Sequence, residues 1–452
     1  MKLFVNDKAF YKTLIAIAVP IALQNLINVL VSMMDTLMIG QLGETQLSAT
    51  SIANQLWFIL MIFCFGVAGG ANVLIAQYWG KGDIEVIKRV QSITFKMGFV
   101  VSIFFGCVAL FLPEQFMSIF TTEREVIEYG VQYLRIIGYS YPFYAMANIA
   151  VMMLRSIGTV NISVWVYLTS LVVNTSLNYV LIFGKFGAPA LGVRGGAIAT
   201  VCARVAELAI ALVYILYKEK KIQFRLHDLL KSNKGLYKKY ISISIPVMGN
   251  EMMWGIGASM VAVVIGRMGT NFVAAYSIFT VLNQMVCVVI FGVGNAALTI
   301  VGNSIGAGEY ELAKQRSITL LVLSVLIGVG AGVVTLVLSP LIVSMYKLSP
   351  QTVEIALSIN CVGALIAFFQ SLAVVSMIGI LRAGGDAKFV LVCETVFLWG
   401  IAVPLGFYTG LVLGWPAWIV FLALKCDEIL KVIISVWRIC GFKWLRDITV
   451  RD

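Results

Sequence analysis

The stretch FGVAGGANVLIAQYWGKGDIEVIK, residues 65–88, decides the fold, because its pattern returns as FGVGNAALTIVGNSIGAGEYELAK, residues 291–314. Without a gap, the two copies share the tripeptide FGV, a Gly-x-Gly and a Glu-x-x-Lys end. The offset is 226 residues, and the same offset brings Pro20 onto Pro246 further out. The chain therefore carries an internal repeat of about half its length.

Composition indicates the environment of this repeat. The 452 residues are 60% hydrophobic and 12% charged, whereas soluble domains carry about 25% charged residues. The charges fall between apolar stretches of about 20 residues or more, the length that crosses a bilayer core. A soluble enzyme is excluded, and we predict an all-α polytopic membrane protein with twelve transmembrane helices. The expected helices are centred on 14–38, 50–76, 91–112, 131–154, 161–183, 196–217, 240–265, 275–302, 318–343, 357–381, 389–410 and 417–437.

Six helices in each repeat give both halves the same orientation in the membrane. We expect an N-terminal six-helix lobe over 1–217, a basic cytoplasmic linker over 218–239, and a C-terminal six-helix lobe over 240–452. Two parallel repeats imply a pseudo-two-fold axis along the membrane normal, with a site between the lobes near mid-membrane. This architecture suits alternating access, in which one lobe rocks against the other.

The distribution of positive charge along the chain indicates how it is oriented in the membrane. The net charge is +11, and lysine and arginine concentrate in the N-terminus, the loops after even-numbered helices and the C-terminal tail. The positive-inside rule then predicts that both termini are cytoplasmic. A nucleic-acid partner is not expected, because the basic segment 218–239 lies beside the membrane. The eight cysteines form no CxxC pair and the one histidine, His227, lies in the linker, so we expect neither a metal cluster nor a cofactor.

The motifs together resemble those of a transporter family. The P-x19-G-x2-G pattern of the first and seventh helices, the FGV and G-x-G of the second and eighth, and the L-R-x-x-G of the fourth and tenth are similar to the multidrug and toxic compound extrusion (MATE) family. The resemblance covers nearly the whole chain. It implies a V-shaped pair of six-helix bundles that exports bulky, often cationic amphipathic compounds in exchange for inward-moving protons or sodium ions.

Asp35 is the foremost candidate for ion coupling. A carboxylate inside a transmembrane helix costs about 2.5–3.5 kcal/mol on insertion scales, so it normally faces a cavity or a partner. Its repeat mate is Val261, so the fold itself does not need an acid at this place. The resemblance implies that an acidic residue here is the ion-coupling group of the N-terminal lobe. The alternative is a structural, hydrogen-bonding Asp near the helix end.

Asn174 and Asn178 lie four residues apart and should share one helix face with Ser170. By the resemblance, Asn174 matches an asparagine of the ion network, and Thr200 resembles a further oxygen ligand. Asp35 and Asn174 could then hold a sodium ion. Asn178 matches a position that is Asp in several sodium-linked members, and its neutrality here weakens the sodium assignment. The alternative is ordinary hydrogen bonding between helices.

Glu251 lies near the middle of the seventh helix, and its repeat mate is the neutral Asn25. The resemblance implies that an acid here binds protons or cationic substrate in the C-terminal lobe. Branches with this acid often add an Asp in the tenth helix, where this chain has Ser371. A two-carboxylate site in that lobe is therefore in doubt.

Other polar residues divide into scaffold and cavity candidates. Opposite charges three residues apart can neutralise each other on a helix, which predicts two structural charge pairs: Arg204 with Glu207, and Lys425 with Glu428. Arg155 and Arg382 end symmetric helices, which suggests snorkelling or gate pairing. The residues expected to line a substrate cavity are Asp35, Glu251, Tyr139, Asn148, Asn283 and Gln284, the last four with lipid-facing or core packing as the alternative.

Together with the repeat and the candidate carboxylates, the resemblance implies a secondary antiporter that exports amphipathic, cationic xenobiotics in exchange for protons or sodium ions, by rocker-switch alternating access. We expect a monomer in the bacterial plasma (inner) membrane, with small-molecule substrates and membrane lipids as partners. The alternative within the superfamily is a flippase of lipid-linked oligosaccharide or a related lipid, which would need a cluster of basic residues facing the cavity. No Walker or HExxH motif appears, so we expect neither ATP-driven transport nor an enzyme.

Overall fold

The computed structural model describes residues 4–5, 7–231, 234–346 and 348–449. Within these ranges the structure is all-α, as expected: ten helices have the length and composition to cross a membrane, and two further stretches are each built from two shorter helices, which is consistent with twelve transmembrane helices. Lys347 and residues 232–233 of the linker lie outside the described residues. The first six are α1 (Lys8–Gly40), α2 (Glu44–Lys81), α3 (Ile84–Phe111), α4 (Arg124–Ile137 and Ser140–Ser156), α5 (Asn161–Phe183) and α6 (Val193–Lys218).

The second six repeat this order after the linker, which contains a short 3₁₀ turn over Leu226–Leu230. They are α7 (Lys234–Arg267), α8 (Thr270–Gly306), α9 (Tyr310–Ser344), α10 (Pro350–Leu381), α11 (Ala387–Val412) and α12 (Ala417–Leu424 and Cys426–Cys440). Ten of the twelve described stretches are unbroken, long and apolar enough to cross a membrane. This set of helices is that of a multi-pass membrane protein.

Two helices are broken where the sequence predicts continuous ones. In α4 the helix is interrupted at Gly138 and Tyr139. In α12 the break falls at Lys425, whose φ of −117° and ψ of 7° leave the helical region. Lys425 is followed closely by Asp427 and Glu428, so the break lies where charged residues interrupt the apolar pattern of α12.

By its contacts the chain divides into two compact units, each with its own core. The C-terminal unit comprises Met1–Ala22, Ala76–Asp83 and Ile245–Asp452, and the N-terminal unit comprises Leu23–Ile75 and Ile84–Ser244. In α1 and α7 the boundary falls beside a proline inside the helix, Pro20 and Pro246.

Proline removes a backbone donor and clashes with the carbonyl four residues earlier, which weakens a helix locally. Because Pro20 and Pro246 are repeat mates, α1 and α7 are weakened at corresponding points.

Within the C-terminal unit, the ends of α2 and α8 approach so closely that only glycine fits. A Cβ added to Gly306 would lie 1.7 Å from the Gln77 carbonyl oxygen, and one added to Gly80 would lie 2.0 Å from the Asn303 carbonyl oxygen. Gly80 and Gly306 are repeat mates, so the approach is symmetric. This explains why the repeat keeps glycine at both positions.

Residues after α12 fold back over the same region of the C-terminal unit. Trp444 is fully buried, and its indole N–H donates to the Ile439 carbonyl at 3.1 Å. The Gln77 amide donates to the Arg446 carbonyl at 3.1 Å and accepts from the Ile448 amide at 2.9 Å. The segment is therefore tied to α2 by both ends of one buried side-chain amide.

The outer faces of the helices are apolar. In α9, for example, Leu326, Val329, Val333 and Val337 are each at least 50% exposed, and their spacing of three or four residues places them on one helix face. Inside the C-terminal unit, Phe279 and Phe421 pack edge to face with ring centroids 4.7 Å apart. An exposed apolar face over a packed interior is the arrangement expected of a lipid-facing helix.

Candidate ion and substrate sites

The N-terminal unit joins Asp35 to the polar face of α5. The Asn178 amide donates to Asp35 Oδ1 and also approaches Asn174 Oδ1 at 3.1 Å. The Asn174 amide in turn donates to the Thr200 hydroxyl at 3.2 Å, and that hydroxyl donates to the Gly196 carbonyl at 3.0 Å. The structure therefore brings four of the five predicted ion-coupling residues into one hydrogen-bonded chain.

Helix geometry produces this chain. Asn174 and Asn178 are one turn apart and nearly fully buried, at 1% and 0% exposure, together with Ser170 at 1%. Asp35 lies near the end of α1 and is half-buried. The chain thus runs from a partly accessible carboxylate into a closed polar interior.

The groups in direct contact with Asp35 are neutral, although the positive charge of Arg204 also acts on its carboxylate. Among the described residues Asp35 makes no ion pair within 4 Å; its partner is the Asn178 amide. Asn178 Oδ1 is buried and accepts no hydrogen bond within the described part of the chain. A buried carbonyl oxygen without a donor, beside a carboxylate without a counter-ion, is a set of ligands suited to a hard cation or a proton.

The repeat mate of Asp35 shows that this site is specific to one unit. Val261 is 1% exposed and packs in the apolar core with Ile265, Phe272 and Phe421. The same point of the fold is therefore filled by hydrocarbon in the C-terminal unit. The scaffold does not require a carboxylate at position 35.

The Arg204 and Glu207 pair lies in the same unit and forms as expected. Arg204 Nη1 lies 2.6 Å from Glu207 Oε1, with side-chain exposures of 13% and 2%. The guanidinium also lies 5.0 Å from the centre of the Tyr144 ring. Both charges are thereby neutralised in a buried setting, which supports a structural role.

Glu251 differs from Asp35 because an arginine already holds it. Arg382 Nη2 lies 2.8 Å from Glu251 Oε1 and also donates to the Asn250 side chain. Arg382 is 6% exposed. It therefore does not snorkel to a surface: its Nη2 contacts the half-buried Glu251 carboxylate and the buried Asn250 side chain, while its Nε is buried without a hydrogen-bond partner among the described residues.

The N-terminal unit contains the counterpart of this arrangement. Arg155 is also 6% exposed, and its Nη2 donates to Gln24 Oε1 at 2.9 Å. Gln24 and Asn250 are repeat mates. The arginine–amide bond is thus part of the repeated scaffold, and Glu251 is an addition made in the C-terminal unit.

A cleft opens beside Glu251 within the C-terminal unit. It has about 580 Å³ of empty space, part of it open to solvent, and Trp254, Phe291 and Met377 form apolar walls. The charged residues on its walls are Glu251, Arg382, Glu394, Glu428 and Lys431. A cleft with apolar walls and a few converging charges is the usual form of a small-molecule site.

The sequence assigns no role to Glu394, Asp427 or Lys431, which lie in or beside this cleft. Lys431 Nζ lies 3.0 Å from Glu394 Oε1 and 2.7 Å from Asp427 Oδ2. The spacing of Asp427 and Lys431, four residues apart, was a signal for their pairing. Glu394 lies on α11, and no sequence spacing connects it to α12.

The expected pair of Lys425 with Glu428 is not formed as an i,i+3 contact. Glu428 Oε1 lies 3.8 Å from Lys431 Nζ, and no ion pair within 4 Å joins it to Lys425 in the described ranges. The physical reason is the helix break at Lys425, which removes the geometry that the spacing requires.

The remaining cavity candidates do not line this cleft. Tyr139 is 60% exposed at the break in α4, whereas Asn148 is 6% exposed in its interior. Asn283 is half-buried and Gln284 is exposed on α8. Among described residues, the walls of the cleft include none of these four side chains.

Comparison with known proteins agrees with this architecture. The MatE family model matches residues 20–180 and 246–408, two segments that begin at the mates Pro20 and Pro246. The chain is 25% identical to the uncharacterized transporter YisQ of Bacillus subtilis over 97% of this chain and 96% of that protein. It is 27% identical to the probable multidrug resistance protein NorM of Thermotoga maritima, over 88% and 85%.

The fold is also found in a solved structure. A mutant of VcmN, a MATE transporter from Vibrio cholerae, superposes with a TM-score of 0.88 at 15% identity, and the match covers 96% of this chain and 97% of that one. The family model covers more than half of the chain, in both halves of its repeat. This chain is therefore a member of the MATE family, a multi-pass membrane transporter and not an enzyme.

Proposed function

We propose that this transporter is a secondary antiporter that exports amphipathic, cationic xenobiotics in exchange for protons or sodium ions. The observation that carries the proposal is Asp35, a half-buried carboxylate without a counter-ion, in contact with the Asn178 amide. The multidrug resistance proteins among its relatives support the substrate class.

Exchange follows from competition for one charge. A cation at Asp35 removes the attraction that an ionised carboxylate exerts on a cationic substrate, so both are not bound favourably together. The unpartnered Asn178 Oδ1 would add an oxygen ligand for sodium, and Asn174 and Thr200 hold that amide in place. Binding that differs between two states of the transporter is what shifts it between them, as rocker-switch alternating access requires.

The alternative of a lipid-linked oligosaccharide flippase is less well supported. It needs basic side chains that are free to hold a diphosphate. The two cations on the walls of the cleft, Arg382 and Lys431, are both within 3 Å of carboxylate oxygens. Their charge is therefore compensated before a ligand arrives.

We also propose a bacterial plasma membrane location, a monomer, and cytoplasmic N- and C-termini. The concentration of lysine and arginine in the segment 218–239 and at the termini supports this orientation. Reporter fusions to the linker and to the loop before α10 would test it, because opposite signals are expected from the two positions.

Replacing the carboxylate tests the antiport proposal. We expect Asp35→Asn to reduce efflux of a fluorescent cation from vesicles at least about tenfold, which corresponds to about 1.4 kcal/mol. Imposing pH and sodium gradients separately identifies the driving ion. Glu114→Gln, which removes an exposed carboxylate, is the matched control. Normal efflux by Asp35→Asn under either gradient would refute the assignment.

A further inference from the structure

Four charged side chains of the C-terminal unit gather where the first turns of α11 pack against the second part of α12. Lys431 Nζ lies 2.7 Å from Asp427, 3.0 Å from Glu394 and 3.8 Å from Glu428. The side-chain exposures of these residues are 4%, 5%, 7% and 13% in the same order. A single lysine is thus surrounded by three carboxylates in a buried setting.

The charges of this group do not balance. Lys425 is the other cation close enough to act on Asp427 and Glu428. Two lysines therefore face three carboxylates, which leaves one excess negative charge when all five groups are ionised. A buried charge without compensation is expensive, particularly inside a membrane-spanning unit.

Neighbouring charges do not supply the missing cation. Arg382 is used by Glu251 at 2.8 Å, and Arg438 is used by Asp386 at 2.9 Å. The other titratable groups that face the cluster are neutral when protonated: Tyr276, Cys287, Cys393 and Cys426. The excess negative charge therefore remains on the three carboxylates.

One carboxylate oxygen also lacks a partner. Asp427 is 3% exposed, and its Oδ1 accepts no hydrogen bond in the described part of the structure, although Oδ2 is paired with Lys431. Glu394, Glu428 and Lys431 reach the wall of the cleft. An incoming ion can therefore reach the carboxylates of Glu394 and Glu428 from the cleft, and the unpartnered Asp427 oxygen lies behind them in the same cluster.

We propose that Glu394, Asp427 and Glu428, arranged around Lys431, form a second cation-binding site that takes one monovalent inorganic cation, a proton or Na⁺, independently of Asp35. A proton would add to a carboxylate oxygen and leave by the same bond, and Na⁺ would be held by carboxylate oxygens. Either ion brings the cluster to neutrality. The site deepens the proposed antiport, on which its role in transport rests, but its ion binding does not depend on Asp35.

The charge count gives a test that separates this site from a balanced structural network. Glu428→Gln removes the excess charge while it leaves the Lys431 contacts with Asp427 and Glu394. We expect this variant to melt at least as high as the wild type in alkaline, sodium-free buffer. A balanced network predicts the opposite, because it would lose a needed charge. A lower melting temperature, or failure to fold, would therefore overturn the inference.

Ion dependence supplies the second measurement. For the purified wild-type protein in detergent, we expect the melting temperature to rise either on acidification or on replacing KCl by NaCl at alkaline pH; the arm that responds identifies the ion. The shift should disappear in Glu428→Gln and in Glu394→Gln. Glu311→Gln, at an exposed residue on α9, should keep it. Equal shifts in the wild type and in both cluster variants would overturn the inference.

The Asp35→Asn background separates this proposal from the antiport proposal. We expect the ion-dependent shift to persist in Asp35→Asn, since the cluster lies entirely in the C-terminal unit. If the shift is lost there and kept in Glu428→Gln, the second site is excluded while Asp35 remains supported. If Asp35→Asn transports normally but the shift requires Glu428, the antiport assignment of Asp35 fails and the second site stands.

Discussion

The symmetric approach of α2 and α8 predicts a large effect from a single methyl group. In Gly306→Ala, the new Cβ would lie 1.7 Å from the Gln77 carbonyl oxygen, whereas carbon–oxygen contacts normally begin at about 3.3 Å. The backbones must therefore separate by roughly 1.5 Å, since the obstacle is a carbonyl and not a flexible side chain. Overpacking of this kind costs about 1–3 kcal/mol.

The measurement is the free energy of unfolding in an SDS titration, with Gly330→Ala as the matched control. Gly330 lies inside α9, and a Cβ there would meet nothing within 4 Å, so this variant should be unchanged or slightly more stable. Gly80→Ala should lower the stability about as much as Gly306→Ala. The double variant should lose less stability than the sum of the two, because one separation of α2 from α8 makes room for both methyl groups. Equal stability of Gly306→Ala and Gly330→Ala would refute the reasoning.

Two further predictions concern the segments outside the helices. Trp444→Ala, at a fully buried residue, should lower the free energy of unfolding by about 3–5 kcal/mol and expose the segment after α12 to protease; Trp437→Ala, 66% exposed, should not. In the linker, burial acts to raise the pKa of the Asp228 carboxyl. Hydrogen bonds from Lys231 and the Arg225 amide, with the charges of Lys88 and Lys231, outweigh burial, so the pKa is lowered from its ordinary value of 3.8. Its stabilisation should therefore be complete above that value and be lost as the pH falls through the lowered pKa; proteolysis of the linker would show this, and Asp228→Asn should abolish the acid dependence.

The N-terminal site could be predicted from the sequence because its parts follow helix periodicity. Asn174 and Asn178 share a face of α5 at a spacing of four. The repeat singles out Asp35, because the equivalent position in the second half is the apolar Val261. The hydrogen bonds between these residues agree with that reasoning. Helix periodicity and an internal repeat are both patterns in the sequence itself, so they can be recognised without coordinates.

The charges of the C-terminal unit could not be predicted in the same way. Arg382 reaches Glu251 across 131 positions of sequence, and Lys431 reaches Glu394 across 37. Such pairs depend on how helices pack, which spacing along one helix does not determine. The Lys425 and Glu428 pair failed for a related reason, because the break at Lys425 overrides the i,i+3 rule.

The tie between Gln77 and the segment after α12 has a consequence for biosynthesis. Its partner Ile448 lies 371 positions later, so the ribosome must translate most of the protein before the Gln77 side chain can be satisfied. Until then α2 crosses the translocon with an exposed amide, and the nascent C-terminal unit is incomplete. Stalled or truncated products lacking residues 444–449 should therefore be preferred targets of membrane quality-control proteases.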